Sequence, residues 1–173
     1  MLALLGACLA TGCATSKYPE DALRLTESPL DIRSMQTRTY EVSSEAVILA
    51  ASVGVLQDME FNIDEVERPL GVLTASKVID ADSGGEMFGL FILEVLGGTG
   101  AMQTASDEER VSLTLVVLPS LARDDEYTAR ITLQRTVFDQ LHRVKLMATI
   151  AEPEIYQEMF AKLSKSVFLE ENQ

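Results

Sequence analysis

One histidine, two cysteines and two glycine pairs are what this 173-residue chain offers for chemistry. His142 stands between Leu141 and Arg143, and no second histidine exists to share a metal or a proton relay. A zinc site needs three or four thiolate, imidazole or carboxylate ligands, and both cysteines, Cys8 and Cys13, fall at the N-terminal end of the sequence. Gly84-Gly85 and Gly97-Gly98-Thr99-Gly100 have no Lys-Ser or Lys-Thr after them, so neither is the phosphate cradle of a P-loop. No Gly-x-Ser-x-Gly elbow occurs. Arg135 is the odd polar residue. It alternates in register with apolar Ile131, Leu133 and Val137, which predicts an ion pair with an acid such as Glu41 or Asp139 at a sheet rim. The residues point away from catalysis, with no cofactor and no metal expected.

Cys13 invites a different chemistry. The run Met1-Leu2-Ala3-Leu4-Leu5-Gly6-Ala7-Cys8-Leu9-Ala10-Thr11-Gly12 is apolar and small, and polar residues follow directly after Cys13. Ala10-Thr11-Gly12-Cys13 resembles the lipobox of bacterial lipoproteins, in which the cysteine becomes the lipidated N-terminus. The run is too short to span a bilayer, which takes about 20 residues, but it suits the apolar part of a signal peptide. No Lys or Arg precedes Cys13, so this reading places the start inside a longer signal. Residues 1–12 are then a signal remnant and 13–36 a lipidated tether, partly extended, with Pro19 and Pro29. Ala14 after the cysteine is not an acid of the kind that retains lipoproteins at the inner membrane. The expected address is the outer membrane, lipid-anchored and facing the periplasm.

Charge narrows the partners. With 27 acidic and 14 basic residues the net charge is −13. Nucleic acid is excluded, because its binding draws on Lys and Arg at phosphates, as is adhesion to anionic lipid through a basic face. The acids are spread as Glu65, Glu67, Asp80, Asp82, Asp107-Glu108-Glu109 and Asp124-Asp125-Glu126, the pattern of solvated loops. None forms the Asp-x-Asp-x-Asp-Gly loop of a calcium site.

The elements follow from periodicity. Residues 37–42 are β-prone. Ser43-Ser44 offers a helix cap, and 45–59 is apolar, with Val47, Ala50, Ala51, Val55 and Met59 at helical spacing. Ile48, Leu49 and Leu56 add a second apolar face. Two strands, from Phe61 and over 72–79, flank the turn Arg68-Pro69-Leu70-Gly71. Three more alternate apolar with polar residues: Val111, Leu113, Leu115 and Val117; Ala129, Ile131 and Leu133; Val144, Leu146, Ala148 and Ile150. Each should cover the core with one face. Pro153 opens a last helix whose stripe is Ile155, Met159, Phe160, Leu163 and Val167. The expected fold is an α+β two-layer sandwich over 37–173: an antiparallel sheet of about six strands with two helices on one face, in the order β-α-β-β-insertion-β-β-β-α.

The stretches Ala50-Ala51-Ser52-Val53-Gly54-Val55-Leu56-Gln57-Asp58-Met59-Glu60-Phe61 and Gly71-Val72-Leu73-Thr74-Ala75-Ser76-Lys77, with the closing Glu152-Pro153-Glu154-Ile155-Tyr156 helix, are similar to uncharacterised bacterial outer-membrane lipoproteins. The element order resembles the helix-grip domains of BamC-type lipoproteins. The resemblance implies an accessory role in outer-membrane assembly and brings no catalytic residues. A segment at about 80–109 exceeds what the sandwich needs. Its apolar centre holds Met87, Phe88, Leu90, Phe91, Leu93 and Leu96 between glycines. These are the expected contacts with an envelope partner, a second copy or the membrane. The alternative is a small apolar ligand or lipid held in a helix–sheet cleft with residues 87–96 as its lid. A filled helix–sheet interface favours the interaction module, and a lined cavity favours the ligand binder.

Overall fold

The alternating runs become six antiparallel strands in the computed structural model, which describes residues 29–79, 108–121 and 123–172. They are β1 (Thr37–Glu41), β2 (Asn62–Glu67), β3 (Val72–Ile79), β4 (Glu108–Pro119), β5 (Glu126–Phe138) and β6 (Val144–Thr149). The sheet order is β1-β5-β4-β3-β2, with β6 also paired to β5. Helices α2 (Glu45–Asp58) and α3 (Pro153–Glu171) cover one face, giving an α+β two-layer sandwich. The stripe expected on α3 is buried in full, and Tyr156 joins it. On α2 the buried residues are Ile48, Leu49, Ala51, Ser52, Val55 and Leu56, whereas Ala50 is exposed and Val47 half-buried. That face is wide because α2 meets both α3 and the sheet.

The 13-residue β5 serves two short strands along one edge. β1 pairs with it from Arg130 to Glu126, and β6 from Gln134 to Phe138. Between them the backbone of Ile131 and Leu133 would lack partners, and an unpaired buried amide is costly. Ile131 N–H donates to the Gln36 carbonyl at 2.9 Å, and Ile150 N–H donates to the Leu133 carbonyl at 3.0 Å. The Tyr156 hydroxyl accepts from Leu133 N–H at 3.4 Å and donates to the Ile150 carbonyl at 2.8 Å. Gln36 Nε2 also donates to it, at 3.3 Å. One phenol on α3 thus stitches the gap between two strands.

Three expectations need correcting. The end of the tether is not extended: Pro29–Met35 forms a third helix, α1, started by Pro29 and by Asp31 in its first turn. β4 begins at Glu108, so the long connection runs over 80–107. β6 does not cover the core with one face. Every residue from Val144 to Thr149 is exposed, because α2 and α3 do not reach over it, and only Ile150 beyond it is buried.

Candidate functional site

Two surfaces stand out, and the first is β6. Val144 is 55 % exposed, Leu146 46 % and Met147 57 %, so apolar side chains reach solvent on both faces of one strand. Leu141 in the preceding turn is exposed as well. Among the described residues β6 pairs with β5 alone, which leaves its other edge to offer backbone donors and acceptors. The opposite edge of the sheet is built differently. β2 carries Asp64, Glu65 and Glu67, and a register shift interrupts it between Ile63 and Glu65. Charge and a bulge are the usual guards of a sheet edge; β6 also shifts register, with Lys145 the extra residue between Val144 and Leu146, but Lys145 is its single charge. Phe138 pairs with both Glu108 and Val144, so the segment 80–107 rejoins the sheet two strands from β6, at the same end.

The second surface is the uncovered face of the sheet. Strand register lines up Thr74, Thr114 and Thr132 in one row and Ser76, Ser112, Gln134 and Thr149 in the next. A third row runs Val72, Val116, Arg130 and Thr37. There a groove of about 490 Å³ opens, lined by Arg33 of α1, Arg130, Val116, Leu118 and threonine hydroxyls. Its position depends on α1: the Thr37 hydroxyl donates to the Arg33 carbonyl at 2.8 Å, which holds the last turn of α1 beside β1.

The covered face carries charge at its far end. Glu109 is 2 % exposed, and Arg135 Nη2 donates to its Oε2 at 2.8 Å. Arg135 Nε and Glu109 Oε1 also lie 2.5 Å apart as an ion pair, although that N–H is not aimed at the oxygen. Arg135 therefore pairs with Glu109 and not with Glu41 or Asp139. Those two acids hold Arg123 at 2.8 Å and Arg143 at 2.7 Å instead. The hydrogen bond from Arg143, reinforced by two backbone N–H groups, holds the Asp139 carboxyl below its ordinary value. Lys77, buried among Ala75 and Ile79 on β3, donates to the Met59 carbonyl at 3.1 Å and pairs with Glu60 at 3.3 Å. It thereby satisfies the negative end of α2.

His142 sits exposed in the turn after β5 with φ of +56°. Among the described residues no group of three His, Cys, Asp or Glu could hold a metal, and no helix is long and apolar enough to cross a membrane. Cys13 and the six apolar residues Met87, Phe88, Leu90, Phe91, Leu93 and Leu96 lie outside the described residues. Between helices and sheet, Ser52, Leu113, Ile131 and Met159 line a void of about 10 Å³, room for at most one water. A small apolar ligand has no room there. Sequence reasoning missed Arg33, Lys77 and Glu109; the interrupted alternation at Lys77 on β3 was the available signal for one of them.

No protein-family model matches the chain, and no curated protein is significantly similar to it. Among solved structures it is similar to a DUF4468 family protein from Bacteroides ovatus ATCC 8483, at 9 % identity and a TM-score of 0.39. That match covers 76 % of this chain and 84 % of the other.

Proposed function

We propose that this chain is a lipid-anchored, periplasm-facing, non-enzymatic interaction module of the bacterial envelope, an accessory subunit of an outer-membrane assembly that holds its partner through β6. One observation carries the reading: β6 exposes Val144, Leu146 and Met147 on an edge that lacks the acids of β2. Exposed apolar patches mark contacts, and an edge with a single charge accepts a further strand through backbone hydrogen bonds. The occupant is an extended, largely apolar segment of an envelope protein, added beside β6. The filled helix–sheet interface supports a module that works by its surface rather than by an internal cavity. Lipid at Cys13 would hold the module at the membrane and raise its effective concentration there.

The test has two arms. A photo-crosslinking residue at position 147 should capture one envelope protein in living cells, and Leu146→Asp should abolish that capture while the domain stays folded. Cys13→Ser, made with the natural signal in place, should move the chain out of the membrane fraction. Capture that survives Leu146→Asp would remove β6 from the reading, and unchanged fractionation of Cys13→Ser would remove the lipid.

A further inference from the structure

We propose that the groove on the uncovered sheet face is a binding site for an anionic amphiphile: a phosphate or carboxylate carried on a short apolar stem. The proposal goes beyond the edge contact of β6 and uses none of its residues. It starts from charge. Acids outnumber bases 27 to 14, and half of the eight described arginines pair with a carboxylate. Arg110 holds Glu108, Arg123 holds Glu41 and Asp125, Arg135 holds Glu109, and Arg143 holds Asp139. Four described arginines make no ion pair and no side-chain hydrogen bond: Arg38, which lies over the Phe160 ring, Arg68, and Arg33 with Arg130, which share a groove that no described acid lines.

The two arginines are brought together by the fold. Arg130 is the register partner of Thr37, and Thr37 is tied to the Arg33 carbonyl, so both cations rise from one corner of the sheet. A guanidinium presents its donors as a planar fork that fits two oxygens of a phosphate or carboxylate. Beside the cations lies an apolar floor. Val116 stands opposite Arg130, and Leu118, 55 % exposed, stands opposite Thr128. Thr128 and Thr132 supply hydroxyls that can donate to remaining anion oxygens. A volume of about 490 Å³ is that of a small-molecule site, which spans roughly 300–1,000 Å³. The net charge of −13 disfavours anions over the molecule as a whole, whereas this groove brings two unpaired arginines together.

Calorimetric titration of the unlipidated full chain with hexyl phosphate, inorganic phosphate and hexanol tests this. Hexyl phosphate should bind one to one, about tenfold or more tighter than inorganic phosphate, and hexanol should give no saturable signal. Arg33→Gln and Arg130→Gln should each weaken hexyl phosphate by about tenfold or more while the melting temperature stays within about 2 °C. Leu118→Ser should reduce the advantage of hexyl phosphate and leave inorganic phosphate unchanged. Phosphatidylcholine vesicles doped with phosphatidic acid distinguish the source. Capture by them that is lost in Arg130→Gln assigns a lipid headgroup, and binding of hexyl phosphate without vesicle capture assigns a free amphiphile. Absence of saturable hexyl phosphate binding, or affinity unchanged in both arginine variants, overturns the proposal. Crosslinking at position 147 reports separately on the β6 edge.

Discussion

Arg135 reaches diagonally across the β4–β5 ladder to Glu109, placing an ion pair on the covered face of the sheet. Glu109 stands opposite Val137, and Arg135 stands opposite Val111, so each charge is flanked by an apolar residue of the other strand. The glutamate is 2 % exposed along its side chain and the arginine 21 %, so the arginine is the wetter end of the bridge. Such a pair adds little net stability over apolar residues of the same volume, but losing one partner strands a buried charge.

Arg135→Ala should therefore destabilise the domain by about 3–5 kcal/mol in urea unfolding. The double change Glu109→Leu with Arg135→Met should recover most of that loss, because both desolvated charges go together. A double variant as unstable as Arg135→Ala would mean that the pair also fixes the register of β4 on β5.

Tyr156 makes a second polar contribution to the interior, and it depends on pH. Burial pushes its phenol above the ordinary value, partly offset by the hydrogen bond from Gln36. Tyr40 is raised for the same leading reason, with a partial offset from Ser164. A phenol whose pKa is higher in the folded state holds its proton more tightly there than in the unfolded chain. Stability from this source is complete below about pH 10 and falls as pH rises through the folded values. Tyr156→Phe should cost about 1–3 kcal/mol at neutral pH, since Leu133 N–H and the Ile150 carbonyl both lose a partner. It should also make the alkaline loss shallower. Denaturation midpoints from pH 8 to 11 in both proteins would show it.

The closing helix should divide sharply into two faces. Phe160 and Leu163 are buried, whereas Glu158 and Lys162 form an exposed ion pair at 3.3 Å. Phe160→Ala or Leu163→Ala should cost about 2–5 kcal/mol by opening a cavity under the sheet. Glu158→Ala should change stability by less than about 0.5 kcal/mol. Arg38 lies over the Phe160 ring, 5.1 Å from its centre, so Phe160→Ala should sit toward the upper end. Thermal or urea unfolding of the three variants separates the faces.

That α3 stripe was legible because periodicity states which residues share a face. The strands through Leu113 and Ile131 were legible for the same reason. β6 shows where the inference stops: Val144, Leu146 and Ala148 alternate as cleanly as Leu113 and Leu115, yet neither α2 nor α3 covers them. Alternation fixes a face, and only the lengths and paths of the helices decide whether that face is buried. Glu109 escaped notice because it closes the acidic run from Asp107, which reads as loop until pairing with β5 draws it inside. The groove was illegible for a related reason. Arg33 and Arg130 are 97 residues apart by their numbering and meet only through the register of Thr37 on Arg130.

Two glycines give the last prediction, with opposite signs. Gly71 ends the 3₁₀ turn Arg68–Leu70 with φ of +63°, and a β-carbon there would overlap the Val117 carbonyl oxygen. Its own carbonyl accepts the Val117 amide at 2.7 Å, so backbone meets backbone with no side chain between them. Gly71→Ala must bear the left-handed conformation, about 1–2 kcal/mol, and must also push β4 away from the turn. Gly54 lies exposed within α2, and a β-carbon there meets nothing within 4 Å. Gly54→Ala should stabilise the domain by about 1 kcal/mol, the difference in helix propensity. Urea unfolding of the two variants should move in opposite directions from the parent. If both lost stability, the exposed face of α2 would be shown to pack against something, and a second contact surface would have to be sought there.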